Sequence, residues 1–461
     1  MIPMAKEIKE NEKVDIQEKL KELPIEFRLR AIDRLNIREL RKKKTKFSKF
    51  LLLLALIGPG IIVMIADNDA GGVITYAQTG SIFGIGFFIP FMLLMIPVAY
   101  IVQEMTIRLA AVTGRGHAEL IWKRYGRFWG AFSLGDLVIA NALTLITEFI
   151  GITFGMGLFG INPVEAVLIG IAFISTVTFG LRYHKWERIS LVIAAFNLIF
   201  IPLVFFAHPN WSAVANSLST WRVSSGFTPL FLYVLLASIG TTIAPWMLFF
   251  QQSSEVDKGI IPEDINSGRR DTLIGAVVMA AVAIAIIILT GTVVYGTVSN
   301  GSTASYNIQF IISTMGSKIG SLPVDLFAIG LVDAGLIAAI AITASTSWAV
   351  GEAFNWPKSI NLPFLKGRKF YIPGLVSMAF AAIIVLIPNI PLGFLNLTVQ
   401  VIASVFMPAA LLFLLLLSND KRIMGKYTNK PWQNIASISI MIFLVTASSL
   451  YGVSLVFPNL I

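Results

Sequence analysis

Residues 51–80 read LLLLALIGPGIIVMIADNDAGGVITYAQTG. The run is long enough to cross a bilayer, which takes about 20 mostly apolar residues. Its middle nevertheless carries Asp67, Asn68 and Asp69, then Gly71 and Gly72. A second run, residues 235–254, reads LLASIGTTIAPWMLFFQQSS and places Gly240, Thr241, Thr242 and Pro245 midway. Asn, Gly and Pro interrupt helices, and open backbone at membrane depth is tolerated only where it lines a cavity. Broken helices at matching places, five spans apart, mark a transporter built from two inverted five-helix repeats with its substrate site between the breaks. Two kinks in a plain bundle explain less, because a kink does not need two neighbouring carboxylates.

Composition agrees with a membrane setting. The 461 residues are 56% hydrophobic and only 13% charged, with mean hydropathy +0.78. A soluble domain carries about 25% charged residues, so a soluble enzyme, a coiled coil and a disordered chain are excluded. Of 36 Lys and Arg, 15 precede residue 50, with 9 of the 26 acids. A chain without cysteine has no disulfide, iron–sulfur or thiolate metal site.

The expected fold is an all-α membrane protein with eleven transmembrane helices. These are two inverted five-helix repeats with broken first and sixth helices, plus one peripheral helix. The spans fall at roughly 48–80 (interrupted), 82–109, 129–157, 163–180, 187–207, 228–253 (interrupted), 271–297, 323–351, 370–388, 392–417 and 433–456. The corresponding divisions are 1–46, a charged cytoplasmic extension; 47–226, the first repeat; 227–418, the second; and 419–461, a cytoplasmic loop and the eleventh helix. The extension has no signal-peptide pattern. From Ile25 to Leu40 its spacing suits either an amphipathic helix on the inner leaflet or a solvated tail.

Lys and Arg placement sets the orientation. With the N-terminus in the cytoplasm, the inner loops hold 18 bases and the outer loops only Arg222 and Lys318. That arrangement suits a multi-pass protein of the plasma (inner) membrane with its C-terminus outside. It also explains the net charge of +10 without nucleic acid.

Acids at membrane depth are functional by default. In an unwound stretch Asp67 and Asp69 can face one cavity, joined by free backbone carbonyls such as that of Ala66. Such a set is hard, anionic and oxygen-rich, and suits a hard divalent cation. A carboxylate also stabilises a half-helix N-terminus. For Asp67 the capping and ion-binding roles are equally open; Asp69 is expected at the ion.

The segment from Gly58 to Gly84 resembles the first helix of the NRAMP divalent-metal transporters. The resemblance rests on Gly58-Pro59-Gly60, on Asp69 in the family's Asp-Pro-Gly-Asn position, and on Gln78, Gly80 and Phe83-Gly84. Further matches are RLAAVTG at 108–114, LNLTVQ at 395–400 and SNDKRIMG at 418–425. The resemblance implies the five-plus-five inverted-repeat fold with an eleventh helix. It also implies that Glu148 in the third helix lines the cavity, with ion, water and proton open as its partner, that Thr241 in the sixth belongs to the metal site, and that Gln400 in the tenth offers an amide oxygen to the ion or its water, with helix packing as the alternative.

Departures from the family pattern point to a particular branch. The family Met-Pro-His of the sixth helix reads Ala244-Pro245-Trp246, the family Asn is Gly72, an Asp of the third helix is Leu145, and Asp67 is an added acid. Losing a soft thioether at Ala244 and an amide at Gly72 leaves a roomier oxygen site, suited to an ion that keeps part of its water. Magnesium dehydrates reluctantly and behaves so. The pattern resembles the NRAMP-related magnesium transporters, with manganese also carried. The three histidines, His117, His184 and His208, are expected in loops, so proton coupling is not expected. Among the other acids, Glu104 has Arg108 as an i+4 partner, Asp333 is a satisfied bundle residue, and Glu352 lies near a span end, solvated or structural.

The expected function is therefore alternating-access transport of magnesium and manganese. The metal is cargo and no cofactor is implied. The partners are the divalent ion and the bilayer, with no nucleic acid and no obligatory protein partner. A proton-coupled manganese or iron transporter is the first alternative and an amino-acid symporter of the same fold the second. No nucleophile–base pair or phosphate-binding loop indicates an enzyme or an ATP drive.

Overall fold

The computed structural model describes residues 58–223, 226–297 and 306–456. The N-terminal extension and its basic run lie outside the described residues. Among those described, ten helices are long and apolar enough to cross a membrane. The eleventh span is the first one, described from residue 58 onward as two pieces that are each shorter than 18 residues. Its pieces are α1 (Pro59–Ala66) and α2 (Ala70–Phe83).

The second span is α3 (Phe88–Thr113). The third is α4 (His117–Gly157), bent at Gly126, whose φ of 84° lies in the left-handed region that glycine adopts freely. Next come α5 (Pro163–Gly180), α6 (Tyr183–Phe196) continued by α7 (Phe200–Phe206), and a short α8 (Trp211–Thr220). The sixth span is again in two pieces, α9 (Pro229–Thr242) and α10 (Pro245–Lys258). The chain continues through α11 (Ile265–Val293), a short α12 (Ile308–Ile319), α13 (Ser321–Ala353), α14 (Arg368–Val385) and α15 (Leu392–Asn419). After a short α16 (Lys421–Met424) it ends in α17 (Pro431–Val456). The short α8 and α12 were not expected. α12 buries Ile308, Ile311, Ile312 and Met315, an i, i+3, i+4, i+7 stripe inside a connection that reads as a loop.

Alternation of the spans is visible in the bonds between their ends. Lys358 before the ninth span pairs with Glu119 at the start of the third. Lys258 at the end of the sixth meets Glu187 at the start of the fifth at 2.8 Å. Arg269 at the start of the seventh reaches Glu104 near the end of the second at 2.6 Å. On the opposite face, Gln78 Nε2 donates to the Tyr306 and Gly393 carbonyls at 2.7 and 3.1 Å. The Phe87 N–H donates there to the Arg222 carbonyl at 3.0 Å. Each pair joins ends that eleven alternating spans place on the same side.

Two histidines depart from the expectation. His117 is fully buried at the start of α4, with Nδ1 2.8 Å from Gln252 Oε1, and His184 lies in α6. Glu352 is buried rather than solvated, taking a hydrogen bond from Ser253 Oγ at 2.6 Å.

Lipid is as apolar as the side chains it surrounds, so spans associate by close packing at small residues. The broken spans sit at the centre of that packing. A Cβ at Gly240 in α9 would lie 1.8 Å from the Gln400 carbonyl oxygen in α15, and one at Gly80 in α2 would lie 2.4 Å from the Ile287 carbonyl oxygen in α11. Gly240→Ala is therefore expected to destabilise the protein by about 1–3 kcal/mol, the range for overpacking. The check is a thermal midpoint in detergent against Gly452→Ala, where open space surrounds the new Cβ. Equal midpoints would show that α9 and α15 are not held by this approach.

Candidate metal site at the two helix breaks

The first break is built around Asp69, which starts α2 as its N-cap. Its Oδ1 accepts the Gly72 N–H and, at 3.3 Å, the Thr241 hydroxyl from α9. Glu148 of α4 serves the same helix end, its Oε2 accepting the Ala70 N–H at 2.9 Å. A helix start leaves several N–H groups without intrahelical partners, and two carboxyl groups meet them here. Asp69 and Glu148 thus both serve the first turn of α2.

Asp67 behaves differently. It closes α1, with its N–H on the Val63 carbonyl at 3.0 Å. Neither carboxyl oxygen has a hydrogen-bond partner among the described residues, and the residue is fully buried. The side chain of Asn68 is likewise buried and unpartnered. Of the two roles left open for Asp67, capping falls instead to Asp69. The carbonyls ending α1, that of Ala66 included, lack the partners a continuing helix would supply.

Around this pair the remaining candidates take definite places. Gly72 lies against Thr241, since a Cβ on it would stand 2.4 Å from the threonine oxygen. Gln400 lies against Gly71, its Nε2 2.2 Å from where a Cβ would be and otherwise unpartnered. Ala244 is the buried N-cap of α10 at the second break. Neither Lys nor Arg among the described residues forms an ion pair with Asp67, Asp69 or Glu148. Nor do three Asp, Glu or His side chains of the described residues converge as a ready-made ligand set. Carbonyls, hydroxyls, amides and water must therefore complete any shell around an ion here.

Three participants, Tyr76, Asn396 and Met247, escaped the sequence reading. Tyr76 and Thr242 share a hydrogen bond at 3.1 Å across the two breaks. Asn396 donates to the Gly71 carbonyl at 3.0 Å and ties α15 to α2. Met247 is the third: the Ala244 N–H donates to its Sδ at 3.4 Å, so a thioether does stand at the second break. Asn396 lies in the LNLTVQ motif and could have been found by its i+4 spacing to Gln400; the other two carry no signal.

Residues 60–454 match the family model described as natural resistance-associated macrophage protein-like, or Nramp. The chain belongs to the Nramp family. Among curated relatives, a divalent metal cation transporter MntH of Staphylococcus saprophyticus is 28% identical over 87% of this chain and 91% of its own length. One from Brucella suis is 28% identical over 86% and 88%. In fold, the chain is similar to the manganese transporter of Eremococcus coleocola, with TM-score 0.71, 21% identity and 90% of each chain covered. In this Nramp chain Asp69 and Glu148 thus serve as helix caps as well as candidate ligands.

The double role of Glu148 is testable. Glu148→Gln keeps an oxygen for the Ala70 N–H, whereas Glu148→Ala removes it. The Ala variant is expected to lose about 1 kcal/mol more stability than the Gln variant, as when a cap is lost. Both should bind manganese more weakly by calorimetry. Equal thermal midpoints without metal would rule out the capping role.

Proposed function

We propose that the chain carries hard divalent cations, magnesium foremost and manganese as well, by alternating access and without a coupled proton. The observation that carries this reading is a set of three buried carboxyl groups, Asp67, Asp69 and Glu148, with no basic partner among the described residues. Uncompensated charge of that sign is unstable at membrane depth, and a cation is what relieves it. Asp67 adds two oxygens that accept no hydrogen bond from the described residues. Family kinship with divalent-metal transporters supports the cargo class.

Magnesium is preferred on chemical grounds. Its shell is octahedral, with oxygens near 2.1 Å, and it usually keeps several waters. An Ala at 244 and a Gly at 72 withhold side-chain ligands that would displace that water. The Met247 sulfur is engaged by a backbone N–H instead of being free for metal. Entry is driven by concentration and an inside-negative potential, which favours a divalent ion by about 4.6 kcal/mol per 100 mV. In this reading the N-terminus is cytoplasmic, the C-terminus lies outside, and the membrane is the plasma membrane.

A second reading has its own observation. Asp69 and Glu148, carboxyl groups that both meet the first turn of α2, could carry a proton as well as a cation, which would suit proton-coupled manganese or iron transport. Leu145 and Trp246, apolar at the places where the resemblance has titratable groups, favour the uncoupled reading.

Three outcomes are expected in proteoliposomes. Asp69→Ala abolishes uptake of both ions, and Asp67→Ala reduces it comparably, because its oxygens have no competing structural role. Metal uptake leaves the luminal pH unchanged; acidification that scales with metal and vanishes in Asp69→Ala would select the proton-coupled reading. Ala244→Met lowers magnesium uptake and raises inhibition by cadmium, since a thioether favours soft ions. Wild-type magnesium uptake in that variant, with no gain in cadmium sensitivity, would place selectivity elsewhere.

A further inference from the structure

A cavity of about 410 Å³ lies away from the helix breaks, among the ends of α3 and α11 and the loop that leads into α17. Its lining includes Arg108, Arg269, Lys426 and Lys430 against one acid, Glu104. The acid is already consumed. Its two oxygens accept from Arg269 at 2.6 Å, Arg108 at 2.9 Å and Gln433 at 3.1 Å. Arg108 is consumed too, since its remaining nitrogens hold the Tyr427 carbonyl at 2.8 Å and Asn429 at 2.6 Å. What remains is a rigid frame of excess positive charge. Into it face two exposed lysines that form no ion pair with an acid of the described residues. Lys426 rests 5.2 Å from the centre of the Tyr427 ring.

We propose that this cavity binds the phosphate headgroup of an anionic membrane lipid. A basic pocket between spans at a membrane face is where such headgroups are held. Two further features select a lipid over a free anion. Trp432, also in the lining, is 52% exposed at the start of a spanning helix, the placement of an interfacial aromatic. The cavity also lies at the foot of a seam, because α3 packs against both α11 and α17. Each of the three continues from the cavity with exposed apolar side chains: Leu94 on α3, one heptad from the lining residue Ile101; Leu273 on α11, one turn from Arg269; and Ile435 on α17, one turn from Trp432. Acyl chains would lie along that track while the lysines meet the phosphate. The lipid would bridge the peripheral eleventh span to the second and seventh.

The test uses the full-length protein in nanodiscs, with a titration of short-chain phosphatidylglycerol read by thermal midpoint and by native mass spectrometry. In phosphatidylcholine alone, the double variant K426Q/K430Q should melt with the wild type, since both lysines are exposed. Phosphatidylglycerol should raise the wild-type midpoint. The double variant should bind it about thirty-fold more weakly, about fivefold for each base lost near the headgroup. K366Q/K369Q, which removes two bases outside the cavity, should bind as wild type does. Inorganic phosphate at the same concentration should not raise the midpoint. Wild-type affinity in K426Q/K430Q would overturn the site, and equal loss in K366Q/K369Q would assign the effect to general surface charge. Full stabilisation by inorganic phosphate would make this a free-anion site and overturn the lipid.

Discussion

Backbone N–H and C=O groups at bilayer depth have no water to turn to, and every other feature of the centre follows from how the two breaks satisfy them. At the start of α2 the freed N–H groups of Ala70 and Gly72 go to Glu148 and Asp69. At the start of α1 the same task falls to Asp271, whose Oδ2 takes the N–H groups of Gly58, Gly60 and Ile61 at 3.2, 2.9 and 3.2 Å. Acidic side chains at helix starts match the positive end of the helix dipole. The interrupted span is therefore capped at the break by its own Asp69 and by Glu148 of the third span, and at the start of α1 by Asp271 of the seventh.

The second break is handled with less charge. α10 begins at Pro245, whose ring removes one of the N–H groups that would need a partner. The Ala244 N–H turns to a sulfur. The two breaks are thus chemically unequal although they are related by the repeat. One is acidic, and the other contributes Thr241 and a small side chain. In the proposed reading, a cation held between them would take its charge complement from the first span and its room from the sixth.

This asymmetry was largely legible in the sequence, and so was the span count. Both depend on local signals: twenty-residue apolar runs, Gly and Pro at matching places, and acids where lipid forbids them. Roles that depend on distant chain segments were not legible. Asp271 lies 213 residues from Gly58, to which it bonds, and nothing in its surroundings marks it as a cap. Which of Asp67 and Asp69 would cap α2 turned on where the helix restarts, a shift of a few residues that propensity does not resolve. Met247 reads as an ordinary apolar helix residue, because only the turn at Ala244 brings its sulfur onto the backbone. The helix Ile308–Ile319 was missed because twelve residues fall below the length of a span, and its stripe is apparent only once the neighbouring spans give it a surface to cover.

The double duty of the carboxyl groups has a mechanical consequence. A carboxylate has about four lone-pair positions, so Asp69 and Glu148 can each keep a helix N–H and still meet a metal. Asp67 sits on the other piece of the first span and holds no N–H of its own. An ion that engages Asp67 together with Asp69 joins the end of α1 to the start of α2, two pieces otherwise linked here by a short unwound stretch. α2 is tied to the third and sixth spans by the Glu148–Ala70 N–H bond and the Thr241–Asp69 bond, and the far end of α1 is tied to α11 by the Asp271 bonds. In the proposed reading, loading the site would add a tie between α1 and α2 that the empty protein lacks, and alternating access needs such a differential interaction of its substrate with two arrangements of the same helices.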